Sequence, residues 1–148
     1  MLAAIFAFLH HIAAFTLVSA VVAEFLLMRD ELSLKNARRL LTADLALGIA
    51  AAILLVVGVL RVLYFEKGPD YYTHSTTFIA KVSLFIGVAL LSIHPTREFL
   101  SWRKLVSQGK TPVVEARKIK SIRRVIHLEL AGIAAIIFCA ALMAKGIG

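Results

Sequence analysis

Apolar residues run almost unbroken through four stretches of the chain, at about 2–28, 43–63, 77–97 and 125–145, and charged residues collect between them. Each stretch is near the ~20 residues that a helix, rising ~1.5 Å per residue, needs to cross ~30 Å of hydrocarbon. A helix satisfies its own backbone, which lipid demands of such a span. The pattern predicts an all-α fold, with residues 1–148 forming a single transmembrane domain: an integral membrane four-helix bundle. The third stretch is the most interrupted. Lys81 lies inside it, and His94-Pro95 is expected to close it. No sequence repeat relates the two halves.

The connections differ in charge. The first holds Arg29, Lys35, Arg38 and Arg39, and the third holds nine basic residues between Arg97 and Arg124. The second, YFEKGPDYYTHST, holds only Lys67, with Arg61 at the preceding helix end. Basic loops stay on the cytoplasmic side, so loops 29–41 and 97–124 are expected to be cytoplasmic and the N-terminus and C-terminus both outside. Tyr64, Tyr71 and Tyr72 fit an outer aromatic belt, and Trp102 an inner one. The first stretch lacks the basic leader of a signal peptide, although Val18-Ser19-Ala20 resembles a weak cleavage site, and is expected to be retained as a span.

The chain is 60% hydrophobic over its 148 residues, above the ~45–50% of soluble domains. Its net charge of +8 would point to nucleic acid in a soluble protein. Here the basic loop 97–124 has no interleaved aromatic platform on which bases could stack, so no nucleic-acid partner is expected. Attraction to anionic headgroups of the lipid bilayer explains the charge instead. PVVEARKIKSIRRVI is expected to form an amphipathic interfacial helix leading into the fourth span. The single cysteine, Cys139, excludes an internal disulfide framework. No zinc-protease motif, phosphate-binding loop or dinucleotide fingerprint is present, and the sequence pairs none of Ser19, Ser83 and Ser92 with a base.

Polar groups inside the apolar stretches therefore carry the candidate chemistry. With the orientation above, they fall into two layers. His10, His11, Arg61 and Lys81 lie in the outer half, with His74 and Lys67 above them and Glu66 and Asp70 in the adjoining loop. This layer has an excess of positive charge and calls for an anionic partner. A histidine below two cations makes a sensible haem b site, with the imidazole on iron and Arg61 and Lys81 on the propionates. His10, Leu17 and Glu24 recur at helical spacing and share one face, which must point inward. His11 is rotated by about 100° and must meet a neighbouring helix, a second protomer in a homo-oligomer, or a water-filled cleft. The inner layer holds Glu24, Asp44, His94, His127 and Glu129 at the level of Arg38, Arg39, Arg97, Arg123 and Arg124. It reads as a structural layer of ion pairs clamping the helix ends. Gly48, Ala51, Ala52, Gly132 and Ala135 would let helices approach closely.

HHIAAF, ARRLLTADLALGI, GVLRVLYFEKGPDYY, FIAKVSLF, HPTREFLSWRK and HLELAGIAAIIFCAALMAKGIG together resemble the small bacterial membrane proteins of domain of unknown function 2214. That likeness covers the whole chain. It implies the fold and a multi-pass place in the bacterial inner (plasma) membrane, and no activity. More remotely, the chain resembles the HemJ-type protoporphyrinogen oxidases, also small helical membrane proteins. His10 (or His11) and Lys81 stand where that family has a first-span histidine and an early third-span lysine. The likeness implies haem b and removal of hydrogens from a porphyrinogen. VLRVLYFEKG, in the second span, departs from that pattern. The expected function is electron transfer or porphyrin- or quinone-linked oxidation at a haem b, with His10 and His11 as metal ligands. Two alternatives stand beside it. One is copper handling by His10, His11, His74 and Met143; the other is a non-catalytic subunit binding anionic lipid or a partner protein.

Overall fold

The structure, a computed structural model, describes residues 1–65 and 68–147. Glu66 and Lys67, assigned above to the second connection, lie outside the described residues. The elements are α1 (Leu2–Leu27), α2 (Leu34–Leu60) running into a wider π-helical turn (Arg61–Phe65), a short α3 (Pro69–Thr73), α4 (Thr76–Ser107) and α5 (Ala116–Ala144). Among the described residues there is no strand. Four helices, α1, α2 with its π turn, α4 and α5, are long and apolar enough to cross a membrane.

The helices overrun the apolar stretches because local signals, not lipid thickness, set their ends. Ser33 accepts a hydrogen bond from the Asn36 amide (3.1 Å) and starts α2 well before its apolar run. Ser75 caps α4 in the same way through the Phe78 amide (3.2 Å). Gly109 closes α4 with φ +73°, a conformation costly for any residue with a Cβ. Much of the expected loop 97–124 is therefore helix. The expected interfacial helix is an extension of α5 that begins only at Ala116.

Pro95 does not end the third span, as was expected. It removes one backbone donor, yet α4 continues to Ser107. The cause is tertiary. Pro95, Phe99, Trp102 and Val106 form one buried stripe at helical spacing, and that packing outweighs the missing rung. Trp102 is thereby a core residue, 4% exposed and 5.2 Å from the Phe99 ring, rather than a belt residue. Tyr72 is also buried, against Phe78 (4.8 Å), while Tyr64 and Tyr71 are exposed.

The bundle is two helical hairpins side by side. α1 packs chiefly on α2 and α4 on α5; the pairs meet through α2 on α4 and α1 on α5. Gly132 sets the spacing within the second pair: a Cβ there would lie 2.5 Å from Cγ2 of Val88. The buried core (Leu17, Val21, Leu40, Phe99, Ile122 and Ile126 among its members) gathers toward the end with the basic connections. Arg123 of α5 ties that end by donating to the carbonyls of Met28 and Arg29 past the end of α1, where helix carbonyls favour a cation. At the opposite end Thr77 donates to the Ile147 carbonyl (3.0 Å), placing Ile147 beside the start of α4. Apolar side chains such as Phe8, Phe15, Val56, Leu90 and Phe138 are exposed around the outside. Lipid would cover them.

Candidate functional site

Three acids from three helices enter the interior near the basic end. Their positions follow from helical phase. On α1, Leu17, Val21, Glu24 and Met28 are buried; on α2, Ala37, Leu40, Asp44 and Leu47; on α5, Ile122, Ile126, Glu129 and Ile133. Each acid occupies a slot in the apolar stripe of its helix, spaced three or four from its neighbours. Glu24 and Glu129 are 0% exposed and Asp44 is 7% exposed.

Their partners differ. The Thr96 hydroxyl of α4 donates to Oδ1 of Asp44 at 2.6 Å. Both carboxyl oxygens of Glu24 and both of Glu129 are buried without a hydrogen-bond partner. The Ser92 hydroxyl is near Glu129 but donates to the Val88 carbonyl at 3.0 Å. Glu24 lies close enough to Asp44 and Glu129 for their charges to act on it. All four long helices thus contribute to one polar layer. A cavity of about 260 Å³ opens beside it, lined by Ser92, Thr96, Arg97, Leu17 and Ile133 among others.

The expected ion-pair layer is corrected at this point. Arg38, Arg39, Arg97 and Arg124 share the level of the acids but are exposed, and Arg123 is engaged by α1 carbonyls. Equal depth does not bring the groups together, because the arginines sit out of phase with the buried stripes. His94 and His127 are also outside the layer. The His94 ring meets the Ser121 hydroxyl at 3.2 Å. His127 Nδ1 meets the Arg123 carbonyl at 2.6 Å, with its ring edge-on to Phe25. Among the described residues, the ion pair observed is Lys118–Glu98 at 3.4 Å, on the surface. Ser92 and Thr96 were not picked out as partners by sequence; an i, i+4 hydroxyl pair flanking a helix proline was the available signal.

At the other end the two histidines separate as their rotation requires. His10 turns inward, with Leu17 and Glu24 on its face. Its Nδ1 is buried without a partner. Its ring packs on Gly58 of α2, where a Cβ would lie 3.7 Å from Cε1. Lys81 and Arg61 are near enough for their charges to act on it. His11 is exposed, and its Nδ1 meets the Ala7 carbonyl of its own helix at 2.6 Å. His74 is exposed at the end of α3, with Nδ1 on the Asp70 carbonyl at 2.7 Å. Among the described residues, no three His, Cys, Asp or Glu side chains converge on a point that could hold a metal ion. The copper set of His10, His11 and His74 is accordingly not assembled within one chain.

No curated protein and no solved structure matches the chain. The family described as "Predicted membrane protein (DUF2214)" matches residues 2–148, nearly the full length, in agreement with the four spans. The chain belongs to this family of membrane proteins.

Proposed function

We propose that this membrane protein binds and releases protons at the carboxyl layer inside its bundle, as a proton-linked carrier or relay does. One observation carries this reading: Glu24 and Glu129 are fully buried, near one another, with all four oxygens unpartnered. A bare carboxylate is among the most costly groups to place in an apolar interior. Ionisable groups within a membrane are retained for function or are paired, and among the described residues no cation pairs with them. A proton is the counter-charge that fits, since among the described residues no three ligands converge on a metal site. A cavity lined in part by Ser92 and Thr96 lies beside the layer, and the Thr96 hydroxyl links its wall to Asp44. The positive-inside rule favours placing connections 29–41 and 97–124 in the cytoplasm. The layer would then lie in the cytoplasmic half.

The test uses protein reconstituted in vesicles that enclose a pH-sensitive dye. Under an imposed pH gradient the wild-type vesicles should acidify faster than empty ones. Glu24→Gln and Glu129→Gln, which keep shape and helical content, should each return the rate to that of empty vesicles. Wild-type rates in both variants would refute the proposal.

A second reading is retained because His10 Nδ1 is buried and unpartnered beside Lys81 and Arg61. Haem b would take His10 as its protein ligand and the two cations for its propionates, and would supply one-electron chemistry. His11 faces outward with its Nδ1 on the Ala7 carbonyl, so it stands apart from the His10, Lys81 and Arg61 group. Protein purified from haem-replete cells would then show a Soret band that is lost in His10→Ala. A flat visible spectrum would remove this reading and leave the carboxyl proposal untouched.

A further inference from the structure

A concavity also lies on the outside of the bundle. A groove of about 690 Å³ runs along the seam of α1 and α2. Alanines form its floor (Ala20, Ala23, Ala43 and Ala46), and Arg38 and Arg39 stand at one end. Small side chains facing one another leave a trough that larger ones would fill. Thr16 and Thr42 also line it, but their hydroxyls donate to the Ile12 and Arg38 carbonyls of their own helices. The floor therefore offers little to a polar ligand and much to a hydrocarbon chain.

The length of the groove is informative. On α1 it extends from Thr16 to Leu27, eleven residue steps, or about 16 Å at 1.5 Å per residue. One leaflet contributes half of the ~30 Å hydrocarbon thickness, about 15 Å. The groove therefore begins at the basic end and stops near mid-membrane, as one acyl chain does.

Charge identifies the other half of the occupant. Several basic groups at this end are engaged: Arg123 by α1 carbonyls and Lys118 by Glu98. Arg38 and Arg39 are exposed, and among the described residues their side chains make no hydrogen bond or ion pair. Adjacent residues on a helix diverge by about 100°, so the two guanidinium groups can flank a headgroup. Guanidinium is the side chain best suited to phosphate oxygens, and basic pockets between membrane helices are sites for acidic headgroups.

We propose that the α1–α2 groove is a binding site for an anionic glycerophospholipid, with one acyl chain on the alanine floor and the phosphate held by Arg38 and Arg39. The site is separate from the interior carboxyl layer, and neither proposal depends on the other.

The experiment uses wild-type protein in phosphatidylcholine vesicles containing either spin-labelled phosphatidylglycerol or spin-labelled phosphatidylcholine. It measures the lipid fraction immobilised by the protein. Phosphatidylglycerol should be preferred. At about fivefold per basic group near the surface, R38Q/R39Q should reduce the preference by about 30-fold. Lys104→Gln with Lys120→Gln, which removes two charges that do not line the groove, should leave most of the preference intact. Ala43→Phe, which fills the floor and leaves both arginines, should also abolish the preference. Equal losses in the arginine and lysine pairs would overturn the proposal in favour of diffuse surface charge. Displacement of the labelled lipid by inorganic phosphate would overturn it in favour of a free-anion site. Retained lipid selectivity in Ala43→Phe, with loss of a wild-type dimer, would assign the groove to a second copy of this chain.

Discussion

Gly132 offers a sharp test of how the second hairpin is packed. Alanine is preferred over glycine inside a helix by about 1 kcal/mol, so Gly132→Ala would stabilise α5 if space allowed. Space does not allow it. The new Cβ would fall 2.5 Å from Cγ2 of Val88, on a side chain that is buried. Valine in a helix has one strongly preferred rotamer and cannot readily turn away, so α4 and α5 must move apart. Overpacking of this kind costs about 1–3 kcal/mol. The net expectation is a loss of about 1 kcal/mol, the overpacking cost less the propensity gain. Gly48 and Gly87 are internal controls, because a Cβ at either meets nothing within 4 Å. The same substitution there should stabilise, by up to about 1 kcal/mol. Reversible unfolding in mixed micelles, followed by far-UV circular dichroism, reads all three. In a Val88→Ala background, Gly132→Ala should turn from destabilising to neutral or better, a coupling of about 1–2 kcal/mol. A Gly132→Ala protein as stable as the two controls, or a penalty unchanged by Val88→Ala, would refute the reasoning.

Three further outcomes follow from the polar groups. Glu24→Met and Glu129→Met should each raise stability by about 1–3 kcal/mol, since each removes a buried group without partners, while abolishing proton uptake; chemical unfolding and the vesicle assay together check this. Arg123→Gln should cost about 1–2 kcal/mol by releasing the carbonyls at the end of α1, and amide hydrogen exchange should speed up first around Met28 and Arg29. Lys118→Ala should change stability by less than about 0.5 kcal/mol, because its pair with Glu98 is exposed to solvent; a larger loss in the same unfolding assay would contradict that.

Hydropathy alone revealed the four spans, because a membrane crossing needs only length and apolarity. The inward face of α1 was also legible: the fourteen-residue interval between His10 and Glu24, with Leu17 between, places all three on one side, as found. Gly132 was marked as a close-approach position and is one. The layer near the basic end was misjudged for a geometric reason. Acids and arginines lie close in sequence there, but proximity along the chain does not make contact. On α2 the buried positions Ala37, Leu40, Asp44 and Leu47 leave Arg38 and Arg39 about 100° and 200° away from Ala37. Rotation about the helix axis, and not depth, decides which charges meet. Pro95 and Trp102 were misassigned because both residue types have strong local habits, which the buried stripe of α4 overrides.

The side-by-side hairpins also bear on how the molecule is made. Each hairpin is contiguous in sequence, so its main interface exists as soon as its second helix is synthesised. The remaining contacts, α2 with α4 and α1 with α5, must wait until both halves are in the bilayer, where helix association has little hydrophobic drive and relies on packing and polar contacts. The acids occupy those late seams: Asp44 reaches Thr96 across the first, and Glu24 and Glu129 come from the two sides of the second. On the proton-binding proposal, the groups that take up protons would be the same few that meet when the two halves dock.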